Sequence, residues 1–186
     1  IAALPDTLWV TDTRNEILPP PPRKEAGLPQ DAFVFCCFNH NWKITAPLFD
    51  IWMRLLAKIE GSVLWLLQGN DAIRANLRRE AEARGIDPER LIFADRTTPE
   101  MHLARQQLAD LFLDTLPYNA HTTASDALWA GLPLVTSPGR SFPARVAASI
   151  LTAAGLPELI APDLENYETL ALKLASDRDA LTKVKE

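Results

Sequence analysis

The sequence predicts an open α/β fold, a parallel sheet with helices on both faces, and three observations carry that prediction. Short, nearly pure apolar runs recur, among them Ala32–Phe38 and Ser62–Leu67, as strands covered on both faces require. Between them lie stretches with apolar residues at i, i+3, i+4 and i+7, the period of one buried helix face. The two patterns alternate with short loops from Ala32 onward, which specifies parallel strands joined by right-handed crossovers.

Taken in order, residues 1–30 show turn chemistry without sustained periodicity, and Pro19–Pro22 followed by Arg23, Lys24 and Glu25 predicts extended polyproline. This is expected to be a linker or arm arriving from an upstream domain, with an ordinary terminus as the alternative; the start at Ile1 reads as a fragment or processed chain. Residues 31–186 are the expected folded domain. Ala32–Phe38 is its first strand. After a polar loop, Asn39–Thr45, comes a helix with Pro47 in its first turn and Leu48, Ile51, Trp52, Leu55, Leu56 and Ile59 on one face. Ser62–Leu67 is the second strand, and Asn70 caps a helix to Arg84 that Gly85 stops. Leu91–Ala94 is the third strand, followed by the loop Asp95–Thr98 and a helix begun by Pro99. Leu111–Leu113 is the fourth, followed by a helix His121–Ala130 with Gly131 and Pro133 as its punctuation. Leu134–Thr136 is the fifth. A helix from Phe142 to Ala154, a short strand at Leu159–Ile160, an amphipathic helix carrying Tyr167, Leu170, Ala171 and Leu174, and a helical continuation through Asp177–Glu186 complete the expectation.

With 186 residues, 47% of them apolar, the chain can bury one good-sized core. The net charge is −5, and its cations are scattered among acids, which argues against a nucleic-acid partner. Nothing reads as a membrane span or a signal peptide. Cys36 and Cys37 are adjacent inside a strand and point to opposite faces, so they suggest neither a disulfide framework nor a zinc site. The expected setting is soluble and reducing, that is, cytoplasmic.

In an open α/β sheet, ligands sit outside the carboxyl ends of the strands. All three histidines, His40, His102 and His121, fall there. His121, Thr122 and Thr123 open a helix, where unsatisfied backbone N–H groups and the positive dipole end favour an anion. Thr123 and Asp126 have capping-box spacing, which needs no ligand; two threonines and a histidine together suit a diphosphate. Lys43, in the loop after the first strand, is the candidate cation for a departing pyrophosphate, although a solvated loop lysine is the commoner case. His102 and Arg105 share a helix face, where an imidazole can stack on a planar base and a guanidinium can bond its carbonyls; an ordinary surface ion pair is the alternative. There is no glycine-rich dinucleotide loop, Walker loop or nucleophile elbow. The histidines lack metal-ligand spacing.

The runs Phe38–Ile44 (FNHNWKI), Ser62–Leu67 (SVLWLL), Gln107–Thr115 (QLADLFLDT), Asn119–Val135 (NAHTTASDALWAGLPLV) and Arg145–Ser149 (RVAAS) together resemble the C-terminal catalytic lobe of the O-linked N-acetylglucosamine transferase family, glycosyltransferase family 41, in its bacterial form. The resemblance spans roughly Leu28 to Lys185. It implies a GT-B enzyme with a Rossmann-like donor lobe, inverting transfer of GlcNAc from UDP-GlcNAc to Ser or Thr of an acceptor protein, and no metal or other cofactor. Carried over by position, Lys43 would hold the diphosphate and stabilise departing UDP, and His40 would lie near phosphate or sugar. The Thr97 backbone and Arg105 would meet uracil with His102 stacked on it, His121, Thr122 and Thr123 would bind the phosphates, and Asp126 the ribose. The family often has glutamine at the position of His40, and animal members have lysine where Pro99 stands. Plant members that use GDP-fucose lack the Asn-Ala-His-Thr-Thr pattern, so His121 favours UDP-GlcNAc. An amino-terminal catalytic lobe and tetratricopeptide repeats are the implied partners within the same protein, and this chain alone is expected to be inactive. Other readings are a GT-B enzyme with a different nucleotide-sugar, an epimerase, or a non-catalytic nucleotide-binding or scaffold module.

Overall fold

A computed structural model describes Thr7, Trp9 and residues 16–185; the rest of the expected linker lies outside the described residues. Five strands, β1 (Val34–Cys37), β2 (Val63–Leu67), β3 (Leu91–Ala94), β4 (Leu111–Leu113) and β5 (Leu134–Val135), alternate with helices α1 (Ala46–Lys58), α2 (Asp71–Glu82), α3 (Pro99–Gln106), α4 (Thr122–Trp129), α5 (Val146–Ala153), α6 (Leu164–Ser176) and α7 (Arg178–Lys183). All strand pairs are parallel, in the order β3-β2-β1-β4-β5. The central strand β1 sets Cys36 beside Trp65 on one side and Phe112 on the other. Its four residues are buried, which is why the run is apolar without alternation. Cys36 and Cys37 are free thiols in this core.

Local chemistry accounts for the helix ends. Asn70 caps α2 by accepting from the Ile73 N–H at 2.9 Å, and Gly85 follows at φ +76°, a conformation that a Cβ would strain. Helix α1 packs on α6, where Trp52 donates its indole N–H to the Tyr167 hydroxyl at 3.3 Å. Among the described residues no helix is long and apolar enough to cross a membrane.

Three local expectations change. The helix expected from Phe142 begins at Val146, after a 3-10 turn at Phe142–Ala144. Arg145, at φ −127° and ψ −3°, breaks the helical geometry between the two, and Phe142 is 56% exposed, not in the core. Leu159–Ile160 contributes a single parallel bridge, Thr136 to Ile160, because Pro157 opens a 3-10 turn over Pro157–Leu159. The tail is helical but restarts: Asp177 is extended and accepts from the N–H groups of Asp179 and Ala180 at 3.0 Å, capping α7. Prolines 19–22 are mostly exposed, and just after them Arg23 donates to the carbonyls of Ala32 (2.7 Å) and Leu108 (3.1 Å) while Leu28 is buried.

Candidate functional site

Strand order reverses at β1, with β2 and β3 on one side and β4 and β5 on the other. The loops leaving β1 and β4 therefore diverge and open a crevice at the carboxyl ends of the strands.

Asn39 leaves β1 buried at 2% exposure. Its amide donates to Thr115 Oγ1 at 2.8 Å and, more weakly, to Asp114 Oδ1 at 3.3 Å, while its oxygen accepts from Thr123 Oγ1. His40 follows, exposed. A 3-10 turn at Asn41–Lys43 then directs the half-buried Lys43. Its ammonium donates to the Asn119 carbonyl at 2.9 Å and lies 4.1 Å from the Tyr118 ring centre. Burial lowers the Lys43 pKa, and the Asp114 charge opposes that shift. An ammonium has three protons and Asn119 takes one, so two remain for an incoming anion.

Asp114, just beyond β4, is fully buried. One of its oxygens accepts from the N–H groups of Thr115 (2.7 Å) and Ala120 (2.6 Å) and from Asn39, the other from the Thr136 hydroxyl at 2.6 Å. Burial pushes its pKa up to about 7 against these donors and Lys43. The loop it anchors carries Tyr118, stacked on His121 with ring centres 5.2 Å apart. His121 Nε2 lies 3.3 Å from the Pro143 carbonyl, and Trp9 reaches the same ring at 5.4 Å. Burial lowers the His121 pKa, offset in part by that carbonyl. With its Nε2 proton on Pro143, the ring offers a phosphate a second proton only as imidazolium.

The capping box at Thr123 and Asp126 does not form. Helix α4 begins at Thr122 with His121 as its N-cap, so Thr123 lies inside the first turn, past the position from which a hydroxyl caps. It reaches across to Asn39 instead. Thr122 is exposed at the helix start, and Asp126 is half-buried with its pKa raised by burial.

At the other end of the cleft, Thr98 caps α3 by accepting from the Met101 N–H at 3.4 Å. Arg105, 8% exposed, donates to the Asp95 carbonyl and lies with Nη2 2.8 Å from His102 Nδ1. Its guanidinium carbon is 4.7 Å from the Phe38 ring centre, and the His102 ring is 5.2 Å from it. Burial, then the Arg105 charge, lowers the His102 pKa to about 4. The neutral ring therefore accepts from Arg105 at Nδ1 and carries its proton on Nε2. Arg105 commits one N–H of each terminal nitrogen inside the protein, fixing the Asp95 loop and the imidazole, and keeps the second N–H of each.

A cleft of about 710 Å³ gathers His40, Thr97, His102, Arg105, Thr123 and Asp126, with Glu16 and Arg96 on its rim; the volume suits a nucleotide-sized ligand. Lys43, His121 and Thr122 are outside its lining, and Lys43 and His121 both pack against the Tyr118 ring. Sequence reasoning missed Asn39, Asp114 and Tyr118 as parts of the site. The available signal was an acid and an amide each placed directly after an apolar strand.

A doubly wound parallel sheet with this cleft at its switch point defines a Rossmann-like lobe of the GT-B kind. The chain belongs to glycosyl transferase family 41, whose signature matches residues 12–186. It is 41% identical over 163 residues to the UDP-N-acetylglucosamine--peptide N-acetylglucosaminyltransferase of Caenorhabditis elegans, covering 88% of this chain and 14% of that protein. To the probable UDP-N-acetylglucosamine--peptide N-acetylglucosaminyltransferase SEC of Arabidopsis thaliana it is 38% identical, covering 97% of this chain and 19% of the relative. Among solved structures, a mutant O-GlcNAc transferase of Thermobaculum terrenum superposes with a TM-score of 0.82 at 30% identity, over 95% of this chain and 33% of that one. The chain thus spans a minor part of each of these proteins.

Proposed function

We propose that this chain is the donor-binding lobe of an inverting glycosyltransferase that moves GlcNAc from UDP-GlcNAc to Ser or Thr of an acceptor protein. The observation that carries the reading is a cleft in a family 41 chain lined by a clamped imidazole and the Thr123 hydroxyl of a helix start, with a half-buried lysine held on the loop after β1 beside it. Uracil lies against His102, whose free Nε2–H and ring face it, with the Thr97 backbone at its edge and Arg105 holding the imidazole in place. Asp126 meets the ribose. Thr122, Thr123 and His121 take the diphosphate at the start of α4, where the dipole adds roughly 0.3–1 kcal/mol. His40 lies toward the phosphate or sugar.

In the transfer, the acceptor oxygen bonds to the anomeric carbon from the face opposite UDP, and the bond to the β-phosphate oxygen breaks with its electron pair going to UDP. Lys43 stabilises the charge that gathers there, so the reaction needs no metal. The group that takes the acceptor proton belongs to an amino-terminal lobe. Residues 31–186 form the donor domain, with 1–30 linking it to that lobe and to tetratricopeptide repeats. The small share of the relatives that the chain covers supports this division. Free, adjacent Cys36 and Cys37 support a cytoplasmic setting.

Titration calorimetry with UDP tests the reading: a Kd between micromolar and millimolar is expected, on the order of −8 to −4 kcal/mol, and absence of binding to folded protein overturns it. In the complete protein, Lys43→Met should lower turnover by roughly 100-fold or more while UDP affinity falls far less. Equal losses would reduce Lys43 to a binding residue.

A further inference from the structure

We infer that Asp114 is a positioning residue for transfer: one buried carboxylate that ties the loop after β1 to the loop after β4 and so places both Thr123 and Lys43. This rests on the reading of the chain as a donor lobe. The ties are specific. Asn39 donates to Asp114 and in turn accepts from Thr123, so the hydroxyl at the helix start is held at second hand. Asp114 also accepts from the Ala120 N–H, which belongs to the same peptide group as the Asn119 carbonyl that receives Lys43. From behind, the Tyr167 hydroxyl donates to the Asp114 carbonyl at 3.0 Å, fixing the backbone. Four donors face the two side-chain oxygens, and their hydrogen bonds favour the ionised acid against the burial that opposes it.

The charge has a second effect. Burial draws the Lys43 ammonium toward its neutral form, and Asp114 counters it. The other titratable groups facing the pair are Cys37 on β1, Tyr118 on the loop after β4, Tyr167 on α6 and His121 at α4. Burial raises the Cys37 thiol and the Tyr167 phenol well above their usual values, so both stay protonated, and it holds His121 below its own. Asp114, pushed up to about 7, is then the group that titrates near neutrality, and Lys43 the one on the alkaline side.

The test is the pH profile of kcat in the complete protein for wild type, Asp114→Asn and Thr136→Val, with UDP affinity measured alongside. Asp114→Asn should lower kcat by roughly tenfold or more and move the alkaline limb down by about one pH unit, because Lys43 loses its neighbouring charge. Thr136→Val removes one donor from the carboxylate and touches no donor-site group. It should move the acid limb upward, since a carboxylate with fewer donors protonates more readily. A purely structural Asp114 would lower activity without moving either limb, and folded variants that behave so overturn the inference. If Asp114→Asn does not fold, the acid limb of Thr136→Val decides alone. Wild-type protein that binds no UDP overturns the donor-lobe reading itself; UDP binding with unmoved limbs overturns only the role of Asp114.

Discussion

The two ends of the cleft are built differently. At the Lys43 end the hydrogen bonds join residues far apart in the chain: Asn39 to Thr115 and Lys43 to Asn119, each 76 positions apart, and Thr123 to Asn39, 84 apart. At the His102 end they are local, with Arg105 bonded to His102 three residues away and to Asp95 ten away. The first end exists only when β1 and β4 lie in register. The second is largely formed by one helix and the loop before it. Regions that rest on long-range pairing open with the whole domain, whereas a helix and its loop can open alone.

The sharpest way to break this contrast is Asp114→Ala. It leaves two backbone N–H groups and a hydroxyl buried without an acceptor and takes one of two acceptors from the Asn39 amide, and about 3–5 kcal/mol of stability should be lost. Urea unfolding would show a lowered midpoint with unchanged slope if the loss is global. A change confined to the neighbouring loop would mean that this end is local after all.

The next effect concerns His102. Its folded pKa of about 4 lies below the usual 6.5, so between these values the unfolded chain binds a proton that the folded one refuses. Stability from this group is therefore complete above about pH 6.5 and declines as pH falls toward 4, by about 1–2 kcal/mol after allowing for the exposed part of the ring. Comparing urea midpoints at pH 7 and 4.5 for wild type and His102→Gln isolates the contribution: the variant should lose less on acidification. An equal loss would place the clamp elsewhere.

The smallest effect is expected for Thr98→Ala, which removes the cap of α3 and should cost about 1 kcal/mol. Hydrogen exchange should quicken in the first turn of α3 and remain unchanged in β1 and β4. Exchange quickening in those strands as well would erase the distinction between the two ends.

Much of this was legible in the sequence because much of it is local or follows from burial. An all-apolar run such as VFCC can satisfy its backbone only in a sheet covered on both faces, Asn70 and Gly85 mark their helix ends by their own chemistry, and Pro47 opens a helix because its missing N–H costs nothing there. The candidate residues were found by their place after strands, and the family motifs lie on the same loops. Where local signals competed, the reading failed. Thr123 and Asp126 have the spacing of a capping box, but a helix start two residues earlier gave the hydroxyl to Asn39. Asp177 was counted into a continuing helix and instead starts a new one.

The sequence by itself determined which segments are strands and helices, that the sheet is parallel, and that the polar chemistry collects at one end of it. Only the tertiary structure decided that Asn39, Asp114 and Thr123 share one hydrogen-bonded network, that Lys43 rests on the Asn119 carbonyl, and that Asp114 belongs to the site at all. The reason is physical. A strand or a cap is chosen by neighbours within a few residues, but the partner of a buried polar group is chosen by strand order, and β4 comes to lie beside β1 only when the chain has crossed the sheet.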